Sequence, residues 1–158
     1  MQFERAIQIL CDAGVDFVII GGLAANILGS DRMTYDLDIC YSQTAENLAR
    51  VVKALAPFHP RPRGFPVGLP FIWDEATLRN STILTLQTEI GEIDLLAEVT
   101  GLGGYRDALQ NSITVEAFGR QVSSLDLMSL IKTKRATGRE KDLLAVPELE
   151  SLLESGEE

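Results

Sequence analysis

The segment from Phe17 to Ile39, FVIIGGLAANILGSDRMTYDLDI, constrains this chain more than any other. Its four leading apolar residues predict a short buried strand, and the pair Gly21-Gly22 predicts a sharp turn into a helix of small residues. After a loop, Asp36 and Asp38 alternate with apolar residues, which is typical of a second strand. The segment therefore predicts strand, helix and strand, with two acidic residues near a glycine turn.

Asp36 and Asp38 are expected on one face of their strand, because side chains alternate between faces. Their backbone positions are then roughly 6–7 Å apart, for a rise of about 3.3 Å per residue. At an effective dielectric constant of about 20, two such charges repel by on the order of 2.5 kcal/mol. Divalent cations are the leading candidates for neutralising this pair, and solvent-facing charges at a strand edge are the simpler alternative.

The Gly21-Gly22 pair also allows two interpretations. One is a tight turn that requires positive φ, which glycine adopts without steric cost. The other is a phosphate-binding turn, in which free N–H groups at a helix N-terminus face an anion. Next to the aspartate doublet, the second interpretation predicts a site for substrate phosphates and Mg²⁺, a cation that prefers carboxylate and phosphate oxygens.

A third carboxylate is expected from the predicted strand GEIDLL at residues 91–96. Asp94 is surrounded by apolar residues there, so its burial would require a charged or metal partner. Glu92 shares its face and is the alternative. We favour Asp94, because Glu92 lies beside a turn and is expected to be solvated.

The remaining pattern predicts an α+β fold with a mixed sheet, in one domain over residues 1–158. The C-terminal helices, over 124–154, are expected to pack on the rest of that domain. Helices are predicted over 3–13, 22–28, 45–55, 105–110, 125–135 and 140–153, with a helical turn over 74–78. Strands are predicted over 16–20, 34–41, 82–87, 89–98, 112–118 and 120–123. Ser124 is the predicted cap of the helix over 125–135, and Ser42 or Thr44 of the helix over 45–55.

Five of the six prolines fall between residues 57 and 70, interleaved with Arg61, Arg63 and two glycines. This composition predicts a long irregular loop, because proline lacks the N–H that helices and central strands require. Loops of this length in a compact domain are commonly functional. The loop is therefore a candidate wall of the site, and its arginines are candidates for holding an acceptor.

Composition excludes several other classes of function. The net charge of −9 argues against non-specific coating of a nucleic-acid duplex. No apolar run approaches the roughly 20 residues that cross a membrane. Cys11 and Cys40 are far apart in sequence and are expected to be reduced thiols of a cytoplasmic protein. With His59 as the single histidine and no paired cysteines, a zinc site is not predicted.

The combination of Gly21-Gly22, Asp36-x-Asp38 and the later Asp94 resembles the nucleotidyltransferase superfamily, whose fold is that of DNA polymerase beta. Within it, GGLAANILGSDRMTYDLDI resembles a small bacterial branch that includes AbiEii-like toxins of abortive-infection systems and minimal nucleotidyltransferases. The segment LIKTKRATGREKDLLAVPEL, at residues 130–149, resembles the same branch, in which a basic helix leads into a Lys-Asp pair. The resemblance covers roughly residues 15–150 and implies a nucleotidyltransferase-like mixed β-sheet flanked by helices.

This resemblance implies an enzyme that transfers NMP from an NTP to a hydroxyl acceptor by two-metal phosphoryl transfer. Asp36, Asp38 and Asp94 would be the catalytic residues and the ligands of Mg²⁺ or Mn²⁺. The acceptor is open among RNA, protein and small molecules. A toxin–antitoxin component with a cognate partner protein is also implied.

The resemblance further implies a set of nucleotide-binding residues: Gly21, Gly22, Arg32, Thr34, Lys132 and Arg135. Lys132 and Arg135 are i, i+3 neighbours on the predicted basic helix, which also carries Lys134. A solvated basic face is the alternative for these side chains, and a surface ion pair is the alternative for Arg32.

Two rival interpretations remain open. Many catalytic members carry serine where this chain has Gly22, so a catalytically silent nucleotide-binding or partner-binding module is the main alternative. A dinucleotide-binding fold also places strand, glycines, helix and acid in this order. Its G-x-G-x-x-G pattern is absent here, and ribose recognition needs one acid rather than a doublet.

Overall fold

The computed structural model describes residues 1–156, which form an α+β fold with a mixed sheet flanked by helices, as the sequence predicted. The helices are α1 Phe3–Asp12, α2 Gly21–Ile27, α3 Ala45–Leu55, α4 Glu75–Arg79, α5 Tyr105–Gln110, α6 Leu127–Thr137 and α7 Glu140–Gly156. The strands are β1 Phe17–Ile20, β2 Asp36–Tyr41, β3 Arg61–Pro62, β4 Ile83–Thr88, β5 Gly91–Leu96, β6 Glu98–Val99, β7 Gly103–Gly104, β8 Ser112–Ala117 and β9 Arg120–Leu125.

Seven of these strands form one sheet in the order β3-β4-β5-β2-β1-β9-β8, and β6 pairs with β7 separately. β1 runs antiparallel to β2, whereas β2 and β5 are parallel neighbours. In that parallel pairing Asp38 lies opposite Asp94, and Asp36 lies opposite Glu92. The sheet order therefore places the aspartates of two distant segments side by side.

The core lies between the central strands and the helices that cover them. β1 is buried along its whole length, as its continuous apolar sequence predicted. α3 is amphipathic and buries Leu48, Val51 and Leu55 in the hydrophobic core. Its first turn is capped by Thr44, whose side chain accepts the N–H of Asn47 at 3.2 Å.

Three details of the predicted elements were wrong: a missed strand, the end of a strand and the cap of a helix. The proline-rich loop contains the short strand β3, whose Pro62 is accommodated because β3 lies at the edge of the sheet. The strand predicted over 89–98 ends at Leu96, and Glu98–Val99 pairs elsewhere. Ser124 is a buried residue of β9, whereas Asp126 caps α6 by accepting the N–H of Ser129 at 2.8 Å.

No helix among residues 1–156 combines the length and apolar character needed to cross a lipid bilayer. Cys11 and Cys40 are both free thiols. Burial raises the pKa of the Cys40 thiol to about 12, so this side chain behaves as a small core residue.

Candidate active site

The site is built on three carboxylates that converge at neighbouring strands. Asp36 and Asp38 come from β2 and Asp94 from β5, and one oxygen of each lies within 4.8 Å of the others. Strand alternation puts the first two on one face, and the parallel register adds Asp94 beside Asp38. All three side chains are partly buried, so the cluster concentrates negative charge at the edge of the core.

Burial and mutual repulsion disfavour the charged forms of this cluster. Burial, followed by the negative charges of Asp36 and Asp94, raises the pKa of Asp38 to about 8. Burial also raises the pKa of Asp94, although a hydrogen bond with Asp38 and the nearby Arg63 guanidinium oppose that shift. Such an arrangement is unfavourable unless cations or protons neutralise it.

Arg63 is the basic side chain in direct contact with the cluster. Its Nη2 donates to Asp94 Oδ1 at 2.7 Å, and its Nε lies 3.6 Å from Glu92 Oε1. That Nε is buried and forms no hydrogen bond. Arg63 thus neutralises part of the charge on Asp94. Glu92 contacts the same guanidinium from outside the three-carboxylate cluster.

Gly21 packs directly against the cluster, and Gly22 packs against Thr34. Gly21 has a φ of +66°, and a Cβ at this position would overlap the Asp38 carboxylate. A Cβ on Gly22 would lie 2.5 Å from Thr34 Oγ1. The turn therefore requires the positive φ that glycine adopts without steric cost, and its phosphate-binding role stays a prediction.

A cavity of about 510 Å³ opens over these residues and is closed on its other side by α6 and α7. Five basic and five acidic side chains line it, whereas the whole chain has 14 basic and 23 acidic residues. The basic ones are Arg32, Arg63, Lys134, Arg139 and Lys141. The cavity is thus less negative than the molecule as a whole.

Asp142 is the least exposed charged residue of this wall, with 1% of its surface accessible. Lys134 Nζ lies 3.2 Å from its Oδ1, and Arg139 Nε lies 2.6 Å from its Oδ2. Burial raises the pKa of Asp142, but the hydrogen bonds from Arg139 and Lys134 outweigh burial and leave that pKa below its ordinary value. Asp142 therefore remains charged and holds two cations at the cavity.

Arg32 and Thr34 both line the cavity. The Arg32 Nε donates to Glu148 Oε2 at 2.8 Å, which realises the ion-pair alternative and ties the loop before β2 to α7. Thr34 Oγ1 lies 3.3 Å from the backbone oxygen of Asp36. The predicted phosphate contacts of these two residues stay predictions.

Lys132 and Arg135 do not reach this cavity. They line a separate cavity of about 700 Å³, where Arg135 pairs with Glu150. The basic residue of α6 that faces the carboxylates is Lys134, because residues two apart on a helix point in nearly opposite directions. The sequence-based grouping by i, i+3 spacing therefore selected the other face of α6.

Sequence reasoning missed Arg139 altogether and treated Asp142 as half of a local charged pair. A signal for Asp142 was present, since this acid begins the mostly apolar segment Asp142-Leu-Leu-Ala-Val of a helix. An acid in that setting predicts a buried ion pair, by the same argument that identified Asp94. Arg63 was considered for acceptor binding, and the structure places it on Asp94 instead.

Comparison with solved structures shows what this fold is similar to. The chain is similar to the lincomycin-bound lincosamide antibiotic adenylyltransferase LnuA, with a TM-score of 0.63 and 14% sequence identity over 96% of each chain. No protein-family model matches the sequence, and no curated protein matches it. The fold is therefore nucleotidyltransferase-like, as predicted, while the AbiEii-like branch stays a prediction.

Proposed function

We propose that this protein is a metal-dependent nucleotidyltransferase that transfers NMP from an NTP to a hydroxyl acceptor. The observation that carries the proposal is the convergence of Asp36, Asp38 and Asp94 in a cavity whose opposite wall carries Lys134, Arg139 and Lys141. The structural similarity to an adenylyltransferase supports it at the level of the fold. The carboxylates and the basic wall supply, in one cavity, the groups that phosphoryl transfer requires.

The carboxylate cluster suits Mg²⁺ or Mn²⁺, which prefer oxygen ligands. Three carboxylate oxygens lie close enough together to share such ions, and their repulsion favours cation binding. Asp36, Asp38 and Asp94 would hold the ions. Bound there, divalent ions would neutralise phosphate charge and lower the pKa of the attacking hydroxyl.

In the proposed reaction, the acceptor oxygen attacks the α-phosphorus and forms the new P–O bond. The bond between that phosphorus and the bridging oxygen breaks, and pyrophosphate leaves. Asp94 would accept the hydroxyl proton as a general base. The backbone at Gly21 and Gly22, with Arg32, Thr34, Lys134 and Arg139, would hold the phosphates.

ATP is the first nucleotide to test, because the structural neighbour is an adenylyltransferase. Lincosamide antibiotics are one small-molecule acceptor to test beside RNA and protein hydroxyls. The AbiEii-like resemblance adds a toxin–antitoxin role with a cognate partner protein. A cytoplasmic location completes the proposal, because free thiols such as Cys11 and Cys40 persist in a reducing compartment.

One observation favours the silent module as a second candidate. Arg63 already neutralises Asp94 through a 2.7 Å hydrogen bond, so this carboxylate has a partner without any metal. A module of this kind would bind a nucleotide or a partner protein through the same cavity and release no pyrophosphate.

Pyrophosphate release and Mn²⁺ calorimetry distinguish the two candidates. With Mg²⁺, ATP and pooled acceptors, we expect Asp94→Asn to lower the rate of release by about 10²–10⁴-fold, the usual contribution of a positioned base. We also expect it to weaken Mn²⁺ binding by about tenfold or more.

Glu92→Gln is the matched control, because it removes a neighbouring carboxylate that contacts the same Arg63 from outside the cluster. It should leave both measurements near the wild-type values. Nucleotide binding without pyrophosphate release from any acceptor would favour the silent module. Equal Mn²⁺ affinity in the wild type and Asp94→Asn would remove the metal site itself.

A further inference from the structure

We infer that Asp142 is a positioning residue that holds Lys134 and Arg139 in place to bind the triphosphate of the substrate. The inference rests on the proposed function and extends it to the wall of the cavity that faces the carboxylate cluster.

The two cations reach the cavity from different segments and meet on one acid. Lys134 belongs to the last turn of α6, and Arg139 lies in the connection between α6 and α7. Asp142, in the first turn of α7, accepts from both and is 1% exposed. The Lys134 side chain is 25% exposed and that of Arg139 is 61% exposed, so both retain surface for a ligand.

The position of this cluster argues for more than helix docking. Lys134, Arg139 and Asp142 all line the cavity that contains Asp36 and Asp38. A second ion pair, Arg135 with Glu150, already joins α6 to α7 and lines the other cavity. Of these two ion-pair sites between α6 and α7, the Asp142 site directs its positive charge toward the proposed substrate.

Asp142 also prevents an unproductive contact. Lys134 lines the same cavity as Asp36, Asp38 and Asp94, on the wall that faces them. Lysine is flexible and strongly hydrated, so a Lys134 released from Asp142 would be attracted to the carboxylate cluster. Bound to Asp142, Lys134 stays on the wall opposite the carboxylate cluster. The triphosphate oxygens would then lie between the Lys134 ammonium and the cluster.

The test measures binding of α,β-methylene-ATP with Mg²⁺ by calorimetry, using AMP as a second probe. Asp142→Asn should weaken binding of the ATP analogue by about tenfold or more, in the range of supporting residues in binding sites. Binding of AMP should change by less than about threefold, because AMP lacks the β- and γ-phosphates. In turnover assays, the KM for ATP should rise more than kcat falls.

Glu150→Gln is the matched control, since it breaks the other ion pair between the same two helices. It should leave the affinity for the ATP analogue unchanged. Arg139→Gln, at an exposed side chain, should weaken binding of the ATP analogue as well. Combined with Asp142→Asn it should add less than its separate effect, because both changes act on one unit.

Several outcomes would overturn the inference. Equal weakening of analogue binding by Asp142→Asn and Glu150→Gln would indicate a purely structural role. The same conclusion would follow if Asp142→Asn weakened AMP binding as much as analogue binding. If Asp142→Asn fails to fold, unchanged analogue affinity in Arg139→Gln overturns the inference instead. Wild-type protein that binds neither probe overturns the proposed function as well, whereas normal wild-type binding with an unaffected Asp142→Asn overturns this inference alone.

Discussion

At the scale of single residues, the glycine turn and the carboxylate cluster depend on each other. Gly21 combines a left-handed backbone with contact against the Asp38 carboxylate, so any side chain there meets two separate penalties. Gly119, in the turn between β8 and β9, has a similar φ of +75° but open space around its Cα. Substitutions at these two glycines therefore distinguish the effect of backbone strain from the effect of displacing the Asp38 carboxylate.

Gly21→Ala should destabilise the fold and also disturb the site. Backbone strain alone lowers the free energy of unfolding by about 1–2 kcal/mol, and the same loss is expected for Gly119→Ala. Gly21→Ala should lose more than that and also weaken Mn²⁺ binding, because Asp38 must move. Urea unfolding and Mn²⁺ calorimetry measure the two effects. Equal destabilisation in both variants with unchanged Mn²⁺ affinity would contradict the assigned contact.

The acidic residues of the site were predictable from the sequence, and the basic ones were only partly so. Asp36 and Asp38 follow from the two-residue period of a strand, and Asp94 stands out in an apolar strand. The choice between Lys132 and Lys134 depends on where α6 begins and which of its faces packs against α2 and α7. Tertiary packing decides that rotation, and the local charge pattern carries no information about it.

At the scale of elements, the proline-rich segment delivers Arg63 to the cluster. β3 pairs with the edge of β4, and the Arg63 N–H donates to Thr85 O at 2.8 Å. Further along, Trp73 Nε1 donates to Val52 O at 2.9 Å. The composition predicted an irregular segment and a wall of the site, but edge pairing and the Arg63–Asp94 contact arise from tertiary structure.

Arg63→Gln should increase the affinity for Mn²⁺ measured without nucleotide. The guanidinium occupies Asp94 Oδ1, and its charge repels an incoming cation. Removing roughly 1 kcal/mol of such repulsion corresponds to an increase of about three- to tenfold. Calorimetry of the purified protein checks this.

Arg61→Gln is the control for this change, because its guanidinium donates to the carbonyls of Pro66 and Leu69 in the same segment. Its Mn²⁺ affinity should match that of the wild type. Weaker Mn²⁺ binding in Arg63→Gln would show instead that the arginine is needed to keep Asp94 oriented.

At the scale of the whole molecule, the sheet order creates the site. β2 lies between β1 and β5, so the doublet and the third acid become neighbours although they are far apart in sequence. Strand types and most helix positions follow from local patterns, whereas this order follows from how the layers pack. The superfamily resemblance supplied the expectation of convergence that periodicity alone did not.

The same convergence should limit the stability of the metal-free protein. Three partly buried carboxylates repel one another, so the fold retains an unfavourable charge cluster at the place where the reaction is proposed to occur. Asp36→Asn removes one charge at nearly constant volume. In EDTA we expect it to melt about 2–4 °C above the wild type, which corresponds to about 1 kcal/mol for a chain of this size.

Adding Mg²⁺ should reverse that order. At about 100 times its dissociation constant, a ligand of the folded state adds about 2.7 kcal/mol of stability, so the wild type should gain several degrees. Asp36→Asn should gain little, because its site lacks one ligand. Glu116→Gln changes the net charge equally at an exposed position of β8 and should follow the wild type in both buffers. If Asp36→Asn melts below the wild type in EDTA, the expected relief of repulsion is missing. If it gains as much stability from Mg²⁺ as the wild type does, the expected loss of a ligand is missing. Either result would show that the cluster is not a strained metal site.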